Sequence, residues 1–171
     1  TAAFQHLLNA EGANLLRPKY VSRLEISASI PEEGDPGISK GHAYITVTDL
    51  ATGEKHTYAT WDDSSRAGQD GRVVPGSDVR IDLEKTLYPP SLKLATMSAS
   101  FDLTAGQNER LKAFINTPVK WSRIDSCAGW SSKAVYIATG VSINASESVM
   151  FFTVNSPRRL FVSLHGMENK K

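Results

Sequence analysis

Cysteine is almost absent from this chain: Cys127 is the single one among 171 residues. That excludes an internal disulfide and a cysteine-rich zinc site. Long apolar runs are missing too. The longest, Val149 to Val154, falls far short of the roughly 20 residues a membrane-spanning helix needs, so no membrane partner is expected. Neither sign of charge dominates, with 19 Lys and Arg against 18 Asp and Glu for a net charge of +1. Well-mixed signs leave no basic face for nucleic acid and no acidic tail. The histidines, at 6, 42, 56 and 165, show no HExxH or comparable metal spacing, so neither a metal nor another cofactor is expected. No basic segment leads into an apolar core near the first residue, so no ordinary signal peptide is expected. The baseline is one soluble globular domain over residues 1–171.

Periodicity supplies the elements. Residues 2 to 16 read as a short helix ended by Arg17-Pro18. Val21 to Ile30 alternates, with Leu24, Ile26, Ala28 and Ile30 on one face, and predicts a strand. Pro31 to Lys40 reads as a loop. In Gly41 to Thr48, Ala43, Ile45 and Val47 form an apolar face, while His42, Tyr44 and Thr46 point the other way. Asp49 to Glu54 has the chemistry of a tight type I hairpin turn with Gly53 left-handed, and Lys55 to Trp61 returns. Asp62 to Ser77 reads as a long polar loop. Strands are predicted at Val79 to Leu83 and Leu92 to Phe101. Thr104-Ala105-Gly106-Gln107 has the form of a capping box opening a helix that Pro118 closes. A helix from Cys127 to a stop at Gly140 comes next, then an apolar strand, Val149 to Val154, and a final strand, Arg159 to Leu164. The pattern is α+β: an antiparallel sheet with helices packed on one side.

Cys127 falls where a nucleophile is wanted. In Asp125-Ser126-Cys127-Ala128-Gly129-Trp130, Asp125 or Ser126 reads as the N-cap. The thiol then sits in the first helical turn, where unpaired N–H groups and the positive end of the dipole favour thiolate. The alternative is a small buried structural residue, the usual fate of a free cysteine. A cysteine hydrolase also needs an imidazole beside the thiol, a polar group to orient that imidazole and backbone donors for the oxyanion. His42 is the best candidate for the imidazole, because it opens a strand on its polar face straight after a glycine. A hairpin closed between Asp49 and Glu54 sets His56 opposite Val47 and Trp61 across from His42, with Asp62 and Asp63 close by. A one-residue slip would reverse those faces. Asp63, Asp62 and His56 therefore all stand as candidates to orient His42. His165 ranks below His42 as base, and His6 reads as structural.

These residues carry a resemblance. Gly41-His42-Ala43-Tyr44-Ile45-Thr46-Val47 with its hairpin resembles the histidine-bearing strand of the NlpC-type papain-like amidases. Phe101 to Gln107, a helix, and then Trp121 to Trp130 resemble the permuted branch of that superfamily, in which the histidine strand precedes the cysteine helix. The likeness spans roughly residues 21 to 140. The lecithin retinol acyltransferase-like proteins share that order, and amidase effectors of bacterial type VI secretion are similar. The resemblance implies a permuted papain-like fold with Cys127 as nucleophile and His42 as base, and no metal.

The function it implies is that of a cysteine amidase, or endopeptidase, cutting peptide stems or cross-links of bacterial peptidoglycan through a thioester. Trp61 and Trp130 are candidate walls of a groove for an extended peptide stem. The missing signal peptide suits an antibacterial toxin that the producing bacterium injects into the periplasm of a target cell. A cognate immunity protein is then an expected partner. The alternatives are an acyltransferase or thioesterase of the lecithin retinol acyltransferase-like type, and a non-catalytic binding module.

Overall fold

The computed structural model of the chain describes residues 19–31, 41–62, 72–84, 94–122, 126–149 and 152–169. The expected helix at residues 2–16, with His6, lies outside them, as do residues 32–40 of the loop after the first strand. Six strands form one antiparallel sheet: β1 (Tyr20–Pro31), β2 (His42–Asp49), β3 (Lys55–Thr60), β4 (Arg72–Val73), β5 (Val79–Ile81) and β6 (Leu94–Thr104). Their order across the sheet is β4-β5-β3-β2-β1-β6. The helices are α1 (Ala105–Ile115), α2 (Cys127–Thr139) and α3 (Pro157–Glu168). Strands β7 (Ser146–Val149) and β8 (Phe152–Asn155) make a separate hairpin. The expected α+β architecture with an antiparallel sheet is present.

Alternation in β1 has the predicted consequence. Leu24, Ile26 and Ala28 are fully buried and join Ala43 and Ile45 of β2 in one core with Leu111, Val135, Leu160 and Leu164 from the three helices. Ala59, Trp61 and Leu83, with Tyr44 against them, form a second small cluster. The hairpin closes as its sequence dictates: Asp49 Oδ1 accepts the N–H groups of Ala51 and Thr52, each at 2.8 Å, and Gly53 takes φ +75°. At the other end of β2, Gly41 has φ +73°, and a Cβ there would lie 2.5 Å from the Ser29 carbonyl oxygen. Only glycine lets the chain enter the strand at His42 so close to β1.

The capping box is formed in full at α1, between Thr104 and Gln107, and Gly140 ends α2 in the left-handed conformation at φ +78°. Four expectations need correction. The apolar segment Val149 to Val154, expected as one strand, is divided between β7 and β8, which pair antiparallel with Val149 opposite Phe152. The segment Arg159 to Leu164 is part of helix α3, because the Ser156 hydroxyl caps the Arg159 N–H at 3.1 Å and Pro157 takes the first turn. The strand expected to reach Leu83 stops at Ile81, where Asp82 turns left-handed and Leu83 and Glu84 take helical backbone. The loop expected over Asp62 to Ser77 contains β4, paired with β5; residues 63–71 lie outside the described ones.

Candidate active site

Register brings the first two groups together. The pairs Ile45↔Tyr58, Thr46↔Thr57 and Val47↔His56 continue to set Trp61 across from His42, and the two rings lie 4.1 Å apart at their centroids. Tyr44, two residues along β2, stacks with the same ring at 6.0 Å, its hydroxyl bonded to Ser27 and Ser29. His42 is 4% exposed. A buried imidazole packed against two aromatic rings has little freedom to rotate.

Helix α2 delivers Cys127 to that ring. Ser126 is the N-cap, yet its hydroxyl makes no capping bond and donates instead to the Asn155 carbonyl at 2.7 Å. The first turn therefore keeps donors for an anion. The Cys127 sulfur is hydrogen-bonded to His42 and accepts backbone N–H groups from Ala128, in its own helix, and from Ala43 on β2. The third group is Glu84, 5% exposed, whose Oε1 lies 3.1 Å from His42 Nε2. That leaves His42 Nδ1 for the sulfur. Glu84 is itself held: Thr57 Oγ1 donates to Oε2 at 2.8 Å, and Trp61 Nε1 donates to Oε1 at 3.2 Å.

The charges follow from this geometry. Burial pulls the His42 pKa down, but the Cys127 thiolate and the Glu84 carboxylate together outweigh it and raise the pKa to about 9. Burial pushes the Cys127 thiol up; His42 and the Ala43 and Ala128 N–H groups override it, and the net shift is downward. For Glu84 burial again favours the neutral form, and the bonds from His42 and Thr57 hold it below its ordinary range. The shifts thus favour a thiolate at Cys127, an imidazolium at His42 and a carboxylate at Glu84, with His42 bonded to both of the others. Such an arrangement supplies a nucleophile, a proton carrier and a group that fixes the carrier's orientation.

The structure brings together Cys127, His42 and Trp61 of the residues expected at a site. His56 faces away, opposite Val47 on the helix side of the sheet as the hairpin register predicts, and pairs with Asp82 at 2.8 Å and Glu54 at 3.0 Å. Glu84, not His56, orients His42. Asp63 and Asp125 lie outside the described residues, and Asp62 is half-buried just after Trp61. Trp130 is 3% exposed and stacks on Phe114 at 5.4 Å, so it packs the core instead of lining a groove. Trp61, 9% exposed, contributes chiefly to holding His42 and Glu84. His165 is exposed in the last turn of α3, bonded to Asn169. Glu84 was hidden in the sequence at the end of an expected strand, with no motif to mark it. Among the described residues no group of His, Cys, Asp and Glu is arranged to hold a metal ion, and no helix is long and apolar enough to cross a membrane.

No protein-family model, curated protein or solved structure matches the chain.

Proposed function

We propose that this chain is a cysteine amidase of the permuted papain-like kind, acting on peptide stems or cross-links of bacterial peptidoglycan. One observation carries the chemistry: a thiol in the first turn of a helix, hydrogen-bonded to a buried histidine that is backed by a carboxylate. The thiolate attacks the amide carbonyl carbon, and the oxyanion is stabilised by N–H groups of the helix start, that of Cys127 foremost. The protonated His42 gives its proton to the departing amine as the C–N bond breaks, leaving a thioester on Cys127. His42 then takes a proton from water, which attacks the thioester and releases the acid and the thiol.

The substrate rests on the resemblance of the histidine strand and the cysteine helix to NlpC-type amidases. The same likeness supports an antibacterial effector delivered to the periplasm of a target cell and restrained in its producer by an immunity protein. The test is incubation of purified Gram-negative sacculi with wild-type protein and with Cys127→Ala, followed by mass analysis of released muropeptides. New fragments from the wild type alone, lost also in His42→Ala and retained in His165→Ala, are expected. Identical profiles from wild type and Cys127→Ala would remove peptidoglycan as the substrate.

A further inference from the structure

Asp82 stands two positions before Glu84 and is the one non-glycine among the described residues with a left-handed backbone, at φ +62°. An L-residue keeps that conformation only where its surroundings fix it. Here three bonds do so. Its N–H donates to the Thr57 carbonyl at 2.9 Å, its Oδ1 accepts the Thr57 N–H at 3.0 Å, and its Oδ2 lies 2.8 Å from His56 Nδ1. The hydroxyl of the same Thr57 donates to Glu84 Oε2 at 2.8 Å. Both ends of the turn are thus tied to one residue of β3.

The turn changes the face on which the chain lies. Val79 and Ile81 join the helix-side core, and strand alternation would send Leu83 the same way. Leu83 instead packs with Ala59, Trp61 and Tyr44 on the opposite side, and Glu84 follows it to His42. We infer that Asp82 is a positioning residue for the site: its left-handed turn, pinned on Thr57 and His56, brings Glu84 onto His42 and so sets the Cys127–His42 pair. The inference rests on the reading of that pair as the reactive one. It also gives His56 a role, as the partner of Asp82 and not of His42.

The test is the pH dependence of Cys127 alkylation by iodoacetamide, which needs no knowledge of the substrate. Asp82→Ala removes the bonds and disfavours the turn; it should raise the lower inflection of the alkylation profile by about one unit, a roughly tenfold loss of rate at pH below the wild-type inflection. Asp82→Asn tolerates the left-handed backbone and still accepts the Thr57 N–H, so it should stay within about twofold of wild type. In a Glu84→Gln background, Asp82→Ala should add nothing, because its effect runs through Glu84. Asp82→Gly serves if the alanine variant fails to fold, and it should fall between wild type and the tenfold loss. A folded Asp82→Ala or Asp82→Gly with the wild-type profile overturns the inference. So does an equal loss in Asp82→Asn, or an additive loss over Glu84→Gln. Wild-type protein that alkylates like an ordinary thiol overturns the reactive-pair reading and this role with it; an activated wild type matched by every variant removes the positioning role alone.

Discussion

A carboxylate at 5% exposure must be matched by donors, and Glu84 meets three: the His42 ring, the Thr57 hydroxyl and the Trp61 indole. Its negative charge is what distinguishes it from an amide of the same shape. Glu84→Gln can still accept from His42 Nε2 but no longer favours the imidazolium. Both inflections of the Cys127 alkylation profile should therefore move. Its upper inflection should fall below about 9, the value set for His42, and its lower inflection should rise as the thiolate loses support. At pH below the lower inflection the rate should drop by about tenfold for each unit of thiol shift. A profile unchanged by Glu84→Gln would mean that the carboxylate does not tune the pair.

At the scale of elements, what could be read from the sequence depended on whether the determinant was local. Strand β1, the hairpin and the capping box of α1 each announce themselves within a dozen residues, and each forms as expected. The same holds for the placing of Cys127 at a helix start and of His42 at a strand start. Helix α3 departs from the expected strand because Leu160, Val162 and Leu164 alternate like a strand while Leu160 and Leu164 also satisfy the helical spacing. Val162 decides between the two: it is 53% exposed, so the alternation was accidental. The true signal was Ser156-Pro157, a cap followed by a proline at the first helical position. Removing that cap with Ser156→Ala should cost about 1 kcal/mol and lower the melting temperature by roughly 2–4 °C. A thermal melt identical to wild type would show that the cap is not holding the helix. Glu84 was illegible for the opposite reason, since its place depends on a left-handed step at Asp82 and on register set by a strand far away in the chain.

For the whole molecule, the buried pair predicts an unusual pH response. Alone, the raised pKa of His42 would contribute stability that is full below its ordinary 6.5 and lost as pH rises through about 9. Alone, the lowered pKa of Cys127 would contribute stability that is full above its ordinary 9.0 and lost as pH falls through its folded value. Between 6.5 and 9 the slopes oppose, the His42 contribution falling with rising pH while that of Cys127 grows. The melting temperature should therefore be nearly level across that interval as far as this pair is concerned. In acid it should fall, first as pH drops through the lowered value of Cys127, then further below 4.5, the ordinary value of Glu84, as pH approaches that group's depressed value. Melts at fixed ionic strength check this, and Glu84→Gln should have the shallower acid limb. A further consequence follows from where the three groups arise: His42 on β2, Glu84 beyond β5 and Cys127 on α2. No local segment holds two of them in contact, so the unfolded chain carries only an ordinary thiol and an ordinary imidazole. A chain still being synthesised, or threaded through a narrow conduit as an extended strand, is chemically silent until its long-range contacts close.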